Sequence, residues 1–216
     1  MHSSAVLRPV RDGPPMTNAP LSARSTPKVV RSSPPTPTMA HSGDFGRTGF
    51  ACSCAERLVP LYELFATAAG QGDRSTLRRA LDLAWTATAA REIANDQREA
   101  VEALVPHEDD DDWSQWSAFA QNAAAAVAYA LRTLLSGDSQ NGVWAARQLY
   151  EAADFVVRAS TPGPNYAEGG EAVAVALAAI ASALEAAGSA DPDELRAAAV
   201  ADGSVLRRLA EDITAA

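Results

Sequence analysis

From Asp44 onward, apolar residues recur every three or four positions, the spacing that gathers side chains on one face of an α-helix. Phe50, Cys54, Leu58, Leu61, Phe65 and Ala68 form the first such face. Pro60 lies within it and predicts a kink, because proline removes a backbone donor. The glycines of "GQGDRST" (70–76) end this helix, and Asp73 or Ser75 is placed to cap the next. There Leu77, Leu81, Ala84, Trp85 and Thr88 make an inner stripe, with Arg78 and Asp82 an i,i+4 pair outside. A weaker third helix is expected over 92–104, ending before Pro106.

Two longer helices follow. The spacing predicts one over 113–135, with Trp116, Phe119, Ala123, Val127, Ala130 and Leu134 in line. After the turn "SGDS" (136–139), a second over 140–159 aligns Val143, Ala146, Tyr150, Ala153 and Val157. "TPGPNYAEGG" (161–170) cannot continue a helix, and Val173, Ala176, Leu177, Ile180 and Leu184 define another after it. Asp191 before Pro192 marks the start of a short last helix with a break near Gly203. No segment alternates with a period of two. The expectation is an all-α fold: a single compact bundle of about six to seven helices over 44–216.

Composition agrees and adds a boundary. Hydrophobic residues make up 47%, much of it alanine, the best helix former. Residues 1–38 differ: they carry eight of the 13 prolines, five basic residues and a single acid, Asp12. Such a segment buries too little apolar surface to offset its ordering entropy, so 1–43 is expected to be a disordered, Pro/Ser-rich basic tail. Two other readings stand beside this one: translation beginning at Met39, and an organellar transit peptide, against which the lack of an amphipathic pattern counts. The chain's formal charge is −9, and residues 39–216 alone carry −13. That argues against nucleic acid and anionic membrane and leaves a basic protein partner open. The longest apolar stretch is too short to span a bilayer. With only two cysteines and no secretory signal, a cytoplasmic location is expected.

Three groups of residues are candidates for chemistry. The first is "HEDDDDWSQW" (107–116). Calcium loops space their ligands with glycine and intervening residues, and zinc needs His and Cys at set separations; Glu108, Asp109, Asp110, Asp111 and Asp112 offer neither. Asp111 or Asp112 at the start of a helix beginning near Trp113 explains one or two acids, but not five. The remainder form a solvated loop or a surface for a basic partner, with Trp113 as an aromatic anchor. The second group is Cys52 and Cys54, about 200° apart on a helix, a poor disulfide geometry without the ligands for zinc. The third is Glu56, Arg57, Arg78, Arg79 and Asp82 on two successive helices, read either as an interhelical ion-pair network or as a polar cleft. No phosphate loop, nucleophile elbow or metalloprotease motif occurs, and no cofactor or metal is expected.

"FACSCAERLVPLYELF" (50–65), "GDRSTLRRALDLAW" (72–85) and "ALVPHEDDDDW" (103–113) resemble the YjaG family of bacterial proteins, catalogued as domain of unknown function 416. The resemblance spans roughly Asp44 to Ser160 and is most specific at Cys52, Glu56, Arg57, Pro60, Tyr62, Gly72, Leu77, Leu81, Asp82 and Trp85. It implies an all-helical fold in a bacterial cytoplasmic protein and supplies no reaction. The functional expectation is a noncatalytic interaction module with an acidic face over 108–116, in the manner of an immunity protein that neutralises a basic effector. The alternative is an enzyme or small-ligand binder using the charged cleft between the first two helices. Oligomeric state is left open.

Overall fold

The structure, a computed structural model, describes residues 44–86, 91–107, 109, 113–114, 116–160 and 170–214. The proposed tail, 1–43, lies outside them. Among the described residues seven helices pack together: α1 (Asp44–Ala68), α2 (Arg74–Thr86), α3 (Arg91–Glu102), α4 (Ser117–Ser136), α5 (Ser139–Ser160), α6 (Glu171–Ala186) and α7 (Pro192–Thr214). No strand occurs among the described residues.

The first helix departs from the amphipathic expectation. Every residue from Thr48 to Val59 is buried, whereas Ala68, assigned to its inner face, is exposed. α1 is the central element, in contact with α2, α4, α5, α6 and α7. A helix surrounded by others needs no polar face, and Gly49, Ala51, Ser53 and Ala55 let its neighbours approach closely. The helix continues through Pro60, which leaves the Glu56 carbonyl without its helical donor. The charges within the Thr48–Val59 stretch, Glu56 and Arg57, are buried.

The caps follow the sequence closely in three places. Asp73 accepts the Thr76 backbone N–H at 3.0 Å and opens α2. Gly137 closes α4 in the left-handed conformation (φ 69°). Asp191 accepts the Asp193 N–H at 2.8 Å ahead of α7.

α7 is not short and does not break at Gly203. It runs for 23 residues and buries Leu195, Ala199, Leu206 and Ala210. At Gly203 a Cβ would stand 3.0 Å from the Arg57 carbonyl oxygen and 3.1 Å from its Cα. The glycine therefore serves a close crossing of α7 over α1, where any side chain would press on backbone.

Candidate functional site

On the buried wall of α1, the Glu56 carboxylate is only 3% exposed and is reached from two other helices. Arg78 of α2 donates to both oxygens, Nη1 to Oε1 at 2.5 Å and Nη2 to Oε2 at 2.8 Å. Trp85, two turns further along α2, donates its indole N–H to Oε2 at 2.8 Å. Arg196 of α7 brings Nε to 3.5 Å from the same oxygen, and its Nη2 bonds Asp82. Asp82 also lies 3.1 Å from Arg78 Nε. Two carboxylates and two guanidiniums thus form a closed, neutral set joining three helices. Burial pushes the Glu56 carboxyl upward, but the Arg78 hydrogen bonds and charge, the Trp85 donor and Arg196 outweigh it and hold it below the usual carboxylate range.

Arg57, the next residue, points elsewhere. Its side chain is 1% exposed, and its Nη2 and Nε reach Asp202 Oδ2 of α7 at 2.8 and 3.0 Å. Its Nη1 donates to the Ser53 carbonyl at 2.8 Å and to the Ser53 hydroxyl. A buried guanidinium is tolerable only with such partners.

The five charges grouped in the sequence therefore separate. Glu56, Arg78 and Asp82 meet; Arg57 joins a second pair; Arg79 is exposed on the outer side of α2, bonded to Thr76 Oγ1 at 3.0 Å and to the Ser75 carbonyl. Arg78, read as an outside residue, is two-thirds buried against Glu56. The missed members are Arg196 and Asp202, more than 110 residues away in the chain from the groups they pair with. One signal could have found Asp202: it lies three residues after Ala199 and four before Leu206, on the buried stripe of α7, where a charge needs a partner. The converging side chains face one another, so this arrangement can lock helix register.

The helix after the acidic segment starts later than expected. The helix predicted from 113 begins at Ser117, with Trp116 as N-cap residue, no side-chain cap bond and no acid in its first turn. Trp113 and Trp116 thus precede the helix. Ser117 Oγ, not an aspartate, receives the backbone N–H of Ser114 at 3.0 Å. Trp116 packs on Phe119 (5.9 Å between centroids), which meets Phe155 edge-on at 5.2 Å. Asp109 is exposed in a turn; Glu108 and Asp110 to Asp112 lie outside the described residues. A cleft of about 490 Å³ is lined by Phe65, Gln71, Leu104, Val105, Pro106, His107 and Trp113. None of the Glu56 network lines it.

Cys52 and Cys54 are free and fully buried. Burial first, then the nearby Glu56 charge, pushes the Cys52 thiol far up, and burial pushes Cys54 up to about 12. Neither forms a thiolate near neutrality. Among the described residues no three His, Cys, Asp or Glu side chains converge as a metal-ligand set, and no helix is long and apolar enough to cross a membrane.

Comparison with known proteins bears on residues 46–156, which match a family described as "Protein of unknown function (DUF416)". The fold is similar to the crystal structure of a DUF416 family protein from Shewanella baltica OS155, with a TM-score of 0.51 at 18% identity, covering 81% of this chain and 90% of that one. No curated protein matches the chain. The matched residues hold Glu56, Arg57, Arg78 and Trp85, whereas Arg196 and Asp202 fall beyond them.

Proposed function

We propose, for a chain that belongs to the DUF416 family of helical proteins of unknown function, a noncatalytic role: capture of a basic protein partner by the acidic segment ahead of α4. The observation that carries this reading is that α4 starts only at Ser117, five residues beyond the last aspartate in the sequence. α4 begins without an acid in its first turn and without a side-chain cap. Helix capping, the ordinary structural reason for acids at this place, is thereby withdrawn. A string of five carboxylates repels itself, and a cationic surface relieves that repulsion. Trp113, partly exposed at the end of the string, offers a ring face to an arginine.

The alternative is a ligand site between α1 and α2. Its carboxylates already accept from Arg78, Trp85 and Arg196, and an incoming cation would have to displace one of these internal partners. Two buried free thiols suit a reducing cytoplasm as the place of action.

The test is association kinetics with a partner recovered from the native host. Replacing Asp109 to Asp112 together by asparagine should slow association by at least tenfold at low salt and flatten its salt dependence, with the fold unchanged by circular dichroism. An association rate that stays the same in the variant would overturn the proposal.

A further inference from the structure

We infer that the outer face of the α4–α5 hairpin is an interaction surface, separate from the acidic segment, and that it fits an acidic stretch of a protein partner. Four side chains stand in a row there. The Arg132 guanidinium lies 5.4 Å from the Tyr129 ring centroid, Tyr129 stacks on Trp144 at 6.4 Å between centroids, and the Arg147 guanidinium lies 5.3 Å from the Trp144 ring. Each helix supplies its two residues three positions apart, which places them together on one face. That face is open: both rings are partly exposed, and the two arginines are 43% and 54% exposed. Tryptophan, tyrosine and arginine are the residue types that carry most of the binding energy at protein interfaces.

What the row offers a partner is hydrogen-bond donors. Arg132 gives Nε and Nη2 to Glu102 Oε1 at 3.1 and 2.7 Å, and Arg147 gives Nε to Glu151 Oε1 at 2.7 Å. Among the described residues nothing accepts from Arg132 Nη1, from either Arg147 Nη or from the Trp144 indole N–H, and none of these nitrogens is buried. Outward N–H groups without an acceptor are complementary to carboxylates, which only accept and bond most strongly to charged donors. Glu102 and Glu151 offset the two arginine charges, so recognition here rests on directed hydrogen bonds and not on a net field. Stacking on the rings holds each guanidinium in place beforehand, so less side-chain freedom is lost on docking. Two rings separate the guanidiniums, so the matching carboxylates stand apart along the partner segment. Two arginines already half paired neutralise too few phosphates to hold a nucleic acid.

The experiment uses the full chain at about 0.15 M salt, where charges more than about 8 Å away are screened and the chain's own net charge matters least. Two capped heptapeptides, Gly-Glu-Glu-Gly-Glu-Glu-Gly and its counterpart with glutamine at every glutamate, are titrated calorimetrically. The glutamate peptide should bind roughly tenfold more tightly. That advantage should vanish in the double variant Arg132→Gln, Arg147→Gln. It should persist in Arg74→Gln, Arg208→Gln, which removes the same charge from exposed positions elsewhere. An equal loss in both double variants would reduce the effect to net charge and overturn the surface. Equal binding of the two peptides, or binding of neither, would overturn it as well. A seven-residue oligothymidylate binding as tightly as the glutamate peptide would overturn the assignment to a protein partner.

Discussion

Glu56→Gln is the substitution that most directly tests whether the buried charges hold the bundle together. The replacement keeps the shape and one carbonyl oxygen, so the Trp85 indole N–H can retain an acceptor. It removes the charge and sets an NH₂ group against one of the two Arg78 nitrogens now bonded to the carboxylate. Hydrogen bonds to charged groups contribute roughly 1.5–3 kcal/mol each and neutral ones about 1. Losing one such bond and downgrading the other gives about 2–5 kcal/mol. Arg78 is 33% exposed and keeps Asp82 nearby, so part of its loss is recovered from water, and about 2–3 kcal/mol is the expected cost. For a domain of this size that is a fall in Tm of about 4–12 °C.

The sign with pH is equally specific. Glu56 titrates lower in the folded protein than the roughly 4.3 of an unfolded glutamate, because Arg78, Trp85 and Arg196 outweigh the upward push of burial. Its contribution is therefore complete above the unfolded value and is lost as pH falls through the folded one. Urea unfolding followed by tryptophan fluorescence should show the full difference between wild type and Glu56→Gln at pH 7. The gap should narrow progressively below about pH 4.3. A difference under 0.5 kcal/mol at pH 7, or one that does not change with acid, would refute the assignment of Glu56 as an ionised anchor.

The other predictions concern the crossing of α7 over α1 and the thiols. Gly203→Val should destabilise by about 1–3 kcal/mol in thermal melts, since its Cβ meets the Arg57 backbone at 3.0–3.1 Å. Gly203→Ala should fail to show the gain of about 1 kcal/mol that alanine brings at an open helical glycine. A thiol reagent at pH 8 should label neither Cys52 nor Cys54 in the native protein and both in denaturant, because burial holds them as inert thiols. Native labelling of either at the rate of a free thiol would contradict the packing of α1.

Much of the architecture was legible in one dimension for reasons that act locally. A helix needs only its own backbone and a periodic supply of apolar side chains, so α2, α5 and α6 fall close to where the spacing puts them. Asp73, Gly137 and Asp191 act within three or four residues, and their turns were readable as well. The start of α4 was not: Trp113 and Trp116 match the helical period, yet both precede the helix, because a turn closed by Ser114 and Ser117 takes their place. Gly203 was misread for a related reason. A glycine in a helix looks the same in sequence whether it ends the element or admits another backbone.

The charged residues divide along the same line. Their clustering on the first two helices was plain from residue types alone, and so was the need of any buried member for a partner. Which charge meets which is a matter of how α7 returns across α1: it delivers Arg196 to Glu56 and Asp202 to Arg57 from well over a hundred residues away. The amino-acid sequence by itself determined an all-helical chain with an acidic string before α4, since propensity, period and charge are properties of neighbouring residues. Only the tertiary structure decided that the Thr48–Val59 stretch of α1 is enclosed, that Arg79 stands apart from its neighbours, and that a cleft opens between Phe65, Leu104 and Trp113. Those outcomes depend on contacts between segments distant in the chain, for which local spacing carries no record.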